Sequence, residues 1–162
     1  MLWSAANAAN VWPQPFRVSY GTLRASIDPS SFEIIASHTL QQAVAKYSSL
    51  MFPLQGYPDR NVTSTISKLT LALTGDNSLT KTLDLYTNES YTLSVDGDTQ
   101  TATITAESVT GALRGFETFI QLIDFATPNQ FYSIQYPTYI FDKPRFPWRG
   151  LLIDSGDCSM QI

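Results

Sequence analysis

The chain has 162 residues, 43% hydrophobic and 15% charged, with a net charge of −4 at neutral pH. That length fits one domain, and the composition is that of a chain that folds around a core. The ten basic residues are scattered rather than striped, which argues against nucleic-acid and anionic-membrane partners, and no stretch approaches the ~18 apolar residues of a membrane span.

Residues 1–9 are rich in alanine, as signal-cleavage regions are. They lack a basic start and an apolar core of about 7–15 residues, so no complete signal peptide is read. Val11-Trp12-Pro13-Gln14-Pro15 is extended, because both prolines disfavour helix. Residues 16–25 and 32–36 are short strand candidates. The period then changes. Leu40, Ala43, Val44, Tyr47 and Leu50 recur at helical spacing, Thr39 with Gln42 makes a capping box, and Pro53 marks the end, so a helix is expected over 39–52. Residues 56–65 read as a loop.

Leu69, Leu71 and Leu73 alternate with Thr70 and Ala72, the pattern of a half-buried strand. Tyr91, Leu93 and Val95 alternate too, as do Ala102, Ile104 and Ala106. Asp96-Gly97-Asp98 between them predicts an antiparallel hairpin. A second helix is expected over 109–125, with Val109, Ala112, Leu113, Phe116, Ile120 and Ile123 on one face. Gly111 and Gly115 on it suit close approach to a sheet. A membrane-dimer reading of that glycine spacing fails, because Arg114, Glu117 and Asp124 interrupt the run. Residues 132–141 are a further strand region with a break at Pro137. Leu151, Leu152 and Ile153 form an unbroken apolar run, like a strand buried on both faces of a parallel sheet. The expected fold is α+β: an antiparallel-rich sheet with two helices on one face, and a last strand outside that scheme.

Chemistry-bearing residues are sparse. His38 is the only histidine and Cys158 the only cysteine, so no internal disulfide forms, and a surface or capping place is expected for His38. Cys158 has no histidine near it in sequence to activate it as a nucleophile. Glu117, with Gln121 one turn on, faces away from the apolar stripe. Glu107 and Asp124 are the other carboxylates that a two-carboxylate glycosidase scheme could use, but nothing singles them out, and a solvated helix face is the plainer reading. The sequence has no phosphate-binding glycine loop, no G-x-S-x-G and no metal-ligand spacing, so neither cofactor nor metal is expected. Two sequons, Asn61-Val62-Thr63 and Asn88-Glu89-Ser90, make Asn61 and Asn88 candidate glycosylation sites.

Three stretches together resemble one family: Trp12-Pro13-Gln14-Pro15; "ESYTLSV" followed by "TGALRGFETFIQL"; and "FDKPRFPWRGLLIDS". In order and spacing they are similar to the N-terminal region of β-N-acetylhexosaminidases, exo-glycosidases that remove terminal N-acetylglucosamine or N-acetylgalactosamine. The resemblance implies a non-catalytic α+β domain over 12–145. It makes 146–155 the start of a (β/α)₈ barrel, with Leu151 to Asp154 as its first strand, and leaves 156–162 as a divergent tail. A barrel takes about 250 residues, so the strand is expected to be an orphan here.

The family mechanism is substrate-assisted, with the sugar's acetamido oxygen attacking the anomeric carbon and an Asp-Glu pair from a later barrel strand assisting. No residue of this chain is therefore expected to be catalytic. The family's sugar-gripping Arg, followed by His, falls at Asp157 and Cys158, so no substrate-binding residue is expected either. The resemblance implies terminal N-acetylhexosamine glycans as ligands of the full-length family only, and a lysosomal or secreted location. It leaves three roles for this chain: an isolated and inactive N-terminal domain, a module that self-associates or pairs with a full-length hexosaminidase, and a fragment without function.

Overall fold

A computed structural model of the chain describes residues 11–75, 84–127 and 129–150. The expected strand at Leu151, Leu152 and Ile153, and the positions Asp157 and Cys158, lie outside the described residues. The elements are β1 (Arg17–Ile27), β2 (Glu33–Ala36), α1 (Gln41–Met51), β3 (Tyr57–Pro58), β4 (Ser64–Thr65), β5 (Lys68–Leu73), β6 (Tyr91–Asp96), β7 (Thr101–Ala106), α2 (Val109–Leu122), β8 (Asp124–Ala126) and β9 (Phe131–Asp142).

One sheet runs in the order β2-β5-β7-β6-β9-β1-β4, with β3 and β8 also paired to β9. The β6–β7 hairpin and the β6–β9, β1–β9 and β8–β9 pairs are antiparallel. The pairs β2–β5, β5–β7, β1–β4 and β3–β9 are parallel. The expectation of an antiparallel-rich sheet is corrected: the sheet is mixed. The cause is the placement of the hairpin. Its second strand, β7, lies against β5, so these strands run parallel, while β6 is left to meet β9. Alternation in the sequence specifies the face a residue occupies, not the direction of the neighbouring strand.

The core lies between the sheet and α2. Leu69, Leu93, Val95, Ile104, Ile134 and Ile140 meet Ala112, Phe116 and Phe119, all fully or almost fully buried. The buried face of α2 is centred on Gly111, Gly115, Phe116, Phe119 and Leu122, a little rotated from the predicted stripe, in which Ile120 and Ile123 are only half-buried. The glycines explain the rotation. A Cβ on Gly115 would lie 2.6 Å from Ile104 Cγ2 and 3.0 Å from the Tyr91 ring, so the backbone itself faces the sheet here. The Ser108 hydroxyl accepts the N–H of Gly111 at 3.0 Å and starts the helix. The helix stops at Leu122 rather than at Phe125, because Phe125 pairs in β8 against Tyr132, with ring centroids 4.7 Å apart.

The first helix starts later than predicted. A 3₁₀ turn (His38–Leu40) precedes α1, and the N-cap is Leu40, which makes no side-chain cap bond; Thr39 lies inside the turn, so the expected capping box is not what starts the helix. Leu40 is fully buried, and its anchoring outweighs the cap preference. Helix α1 lies beside α2, joined by the Tyr47 and Phe116 rings at 5.2 Å. The hairpin lies where Gly97 marks it, but as a four-residue loop, Gly97 to Gln100, with Gln100 at φ 59°.

Pro137 does not break β9. The irregularity falls on its partner instead. The register jumps from Tyr20↔Thr138 to Leu23↔Tyr136, so Gly21 and Thr22 bulge out opposite a proline that has no N–H to offer. The residues expected to form a loop, 56–65, contribute β3 and β4.

Candidate functional site

Where β9 ends, the chain is held by one carboxylate. Asp142 Oδ1 accepts the N–H of Phe16 and the N–H of Lys143, each at 2.9 Å. Gln121 Oε1, on the outer face of α2, accepts the Trp12 N–H at 2.7 Å. The proline-stiffened leading segment is thereby pinned at both ends. Between that segment, α2 and the strap that follows β9 (residues 143–149) lies a cleft of about 780 Å³.

Along its wall runs a continuous chain of charges. Arg149 on the strap pairs with Glu89. Glu89 also receives Arg114 Nε at 3.2 Å. Arg114 Nη1 reaches Glu117 at 3.1 Å, and Glu117 accepts the Tyr47 hydroxyl at 2.7 Å. The side chain of Glu89 is only 17% exposed, against 51% for Arg114 and 48% for Arg149, so the anion is the more sheltered centre and the cations are its lid. Burial works against the charge on Arg114, yet its hydrogen bonds to Glu117 and Glu89 outweigh this and hold its pKa above the usual value. The hydrogen bond to Glu117, aided by burial, pushes the Tyr47 phenol up.

The cleft floor is the Tyr91 hydroxyl, bonded to Thr118 and 3.4 Å from Asp142 Oδ2. Burial pushes this phenol well above its ordinary range. A group that the fold keeps protonated stabilises fully below its unfolded pKa of about 10, and that stabilisation is lost as pH rises towards the folded value. Tyr91→Phe is therefore expected to unfold at higher pH than the parent, relative to each protein's stability at pH 7. Circular dichroism followed through an alkaline titration checks it; an unchanged midpoint would mean that Tyr91 does not drive alkaline unfolding.

The structure places the sequence candidates apart. Glu117 and Gln121 line the cleft. Glu107 accepts the Asn88 side-chain amide at 2.8 Å. Asp124 pairs with Arg24, which also donates to Ser133 at 2.8 Å. His38 is exposed in the 3₁₀ turn. Glu117, Glu107 and Asp124 thus form no joint acid–base pair, and Glu89, Glu117 and Asp142 are each engaged by donors of the domain itself. Such an arrangement fastens the leading segment, α1, α2 and the strap to one another. Sequence reasoning passed over Glu89, Arg114, Arg149 and Asp142 as functional residues. A signal was present, because every stretch that carried the family resemblance delivers a residue here: Trp12 from the first, Glu89, Arg114 and Glu117 from the second, and Asp142 and Arg149 from the third.

Comparison with known proteins points the same way. The family described as beta-acetyl hexosaminidase like matches residues 11–122. The chain is 37% identical over 153 residues to Beta-hexosaminidase subunit A1 of Dictyostelium discoideum, covering 91% of this chain and 27% of that protein. It is 35% identical to Beta-hexosaminidase 1 of Arabidopsis thaliana, covering 90% of this chain and 30% of that one. A chitobiase from Flavobacterium johnsoniae shares the fold, with a TM-score of 0.59 at 24% identity over 88% of this chain and 22% of its own. The chain thus spans little more than a quarter of the length of these curated relatives.

Proposed function

Because the chain belongs to the beta-acetyl hexosaminidase like family, we propose that it is the non-catalytic N-terminal domain of a β-N-acetylhexosaminidase, and that its task is to hold the segment leading into a catalytic domain. The observation that carries this reading is the strap: Arg149 is fastened to Glu89, and Glu89 to Arg114 of α2, just before the residues 151–154 that resemble a first barrel strand. A helix seated in the core thereby fixes where the strap leaves the domain. The family activity, release of terminal N-acetylhexosamine from glycans, belongs in this reading to the longer protein, in a lysosomal or secreted setting.

A polypeptide of these 162 residues alone is expected to leave a chromogenic N-acetylglucosaminide unhydrolysed. The family's catalytic Asp-Glu pair has no counterpart in it, and Asp157 stands where the sugar-gripping Arg belongs. Asp157→Arg is expected to restore nothing, since one sugar contact cannot replace a catalytic constellation. Turnover that survives removal of contaminating enzyme would overturn the reading.

A second reading, a module that self-associates or pairs with another hexosaminidase chain, is favoured by the exposure of Trp12, Phe146 and Trp148, at 81%, 63% and 79%. Co-purification with full-length enzyme supports that reading; a monomer that captures nothing removes it.

A further inference from the structure

We infer that Asn61 is an N-glycosylation acceptor, and that Asn88, the other sequon asparagine, is instead a structural residue that holds the start of α2. The two sites look alike in sequence and differ in their surroundings.

Asn61 is exposed in the turn between β3 and β4. Its backbone N–H donates to Asp59 Oδ1 at 2.9 Å, and the Asp59 N–H donates to Ser26 Oγ at 2.7 Å, so the turn is tied to β1. The Asn61 side-chain amide makes no hydrogen bond among the described residues, and Thr63 is exposed beside it. A glycan here displaces no contact of the fold, and it projects from a turn with a defined shape.

Asn88 is committed. Its Nδ2 donates to Glu107 Oε2 at 2.8 Å, and its Oδ1 accepts both the N–H of Ser90 at 2.9 Å and the Ser90 hydroxyl at 2.7 Å. The third-position hydroxyl of this sequon is therefore already used on the asparagine itself. The Asn88 carbonyl accepts the Ser108 hydroxyl, which is also the N-cap of α2. Gly111, in the first turn of that helix, leaves no room for a Cβ against the Ser90 carbonyl, 2.5 Å away. A sugar on Nδ2 would compete with its bond to Glu107, the residue next to that N-cap.

In the reaction, Nδ2 of Asn61 attacks the anomeric carbon of a lipid-diphosphate-linked oligosaccharide. The anomeric C–O bond breaks, the lipid diphosphate leaves, the N-glycosidic bond forms, and Nδ2 gives up one proton. The inference needs a secretory lumen and does not depend on the hexosaminidase reading.

The test is expression in eukaryotic cells behind a functional secretion signal, followed by enzymatic deglycosylation. The parent chain should show one mobility step on deglycosylation. Asn61→Gln and Thr63→Ala should abolish it, and Asn88→Gln should keep it while lowering the melting temperature; Asn61→Gln should leave the melting temperature unchanged. In case Asn88→Gln does not fold, deglycosylation of the parent chain in heavy-oxygen water reads both sites directly: the Asn61 peptide should carry the heavy label and the Asn88 peptide should not. No step in the parent, a step that survives Asn61→Gln, or label at Asn88 would overturn the inference.

Discussion

Phe116→Ala is expected to lower the unfolding free energy by about 3–5 kcal/mol, the range for a fully buried aromatic truncated in a core that cannot collapse around the gap. Phe116 has no exposed surface, sits in the core cluster with residues of the sheet and meets the Tyr47 ring of α1 at a tilt. A domain is stable by only about 5–15 kcal/mol, so the change removes about a fifth of the total or more. Urea denaturation should show a lower midpoint with an unchanged slope. Tyr86→Ala, at a position 87% exposed, is the control and should stay within about 0.5 kcal/mol of the parent. A Phe116→Ala midpoint no lower than that of the control would mean that α2 is not seated as described.

Glu89→Ala should free the strap. The substitution takes the half-buried anion from two guanidiniums at once. Arg114 keeps Glu117, while Arg149 is left with no partner among the described residues. Charge-assisted hydrogen bonds contribute about 1.5–3 kcal/mol each and solvent-exposed ion pairs about 0.2–1. The Arg149 pair lies between these limits, with a shielded anion and a half-exposed cation. An opening cost lowered by about 1.4 kcal/mol makes the open strap tenfold more populated. Trypsin cleavage after Arg149 should accelerate by roughly that factor, while cleavage outside the strap holds its rate. Salt at about 1 M, where the screening length falls to about 3 Å, should speed the parent part of the way. Glu89→Gln, which keeps an acceptor without the charge, should fall between. Equal rates for parent and Glu89→Ala would remove the clamp from the account.

The parts of this fold that sequence shows are those set by local periodicity. Leu93 and Ile104 lie in strands that are neighbours along the chain, and the alternation of each states its buried face, so the β6–β7 hairpin is legible in the residues alone. Helix α2 is legible for the same reason, although the glycines that let it sit low on the sheet also turned its stripe. What sequence withholds is non-local. Nothing in Leu69 or Leu71 says that its neighbour is Ala102 or Ile104 running parallel, because that depends on which strand of the hairpin faces outward. Residue Pro137 reads as a break because a proline lacks a donor, yet the partner strand absorbed the defect at Gly21 and Thr22. The clamp was hidden by distance: Glu89 and Arg149 are 60 positions apart, and each alone is an ordinary surface charge.

The single carboxylate that receives both Phe16 and Lys143 has a mechanical consequence. The chain enters and leaves the domain at one point, and Arg17 stands directly across from Phe141 in the antiparallel β1–β9 pair. Tension drawn between these two points pulls across the strands, not along them. The ladder then opens one residue pair at a time, like a zip, and each pair resists alone. The strap alters this geometry. A pull arriving through residue 150 meets Arg149 first, and Arg149 passes it to Glu89 and Arg114, hence to α2 with Phe116 and Phe119 beneath it. While the ion pair holds, the load falls on the buried helix, where many contacts share it; once the pair breaks, the same force is free to unzip β1. The charge pair thus sets the threshold below which pulling on the strap leaves the sheet intact.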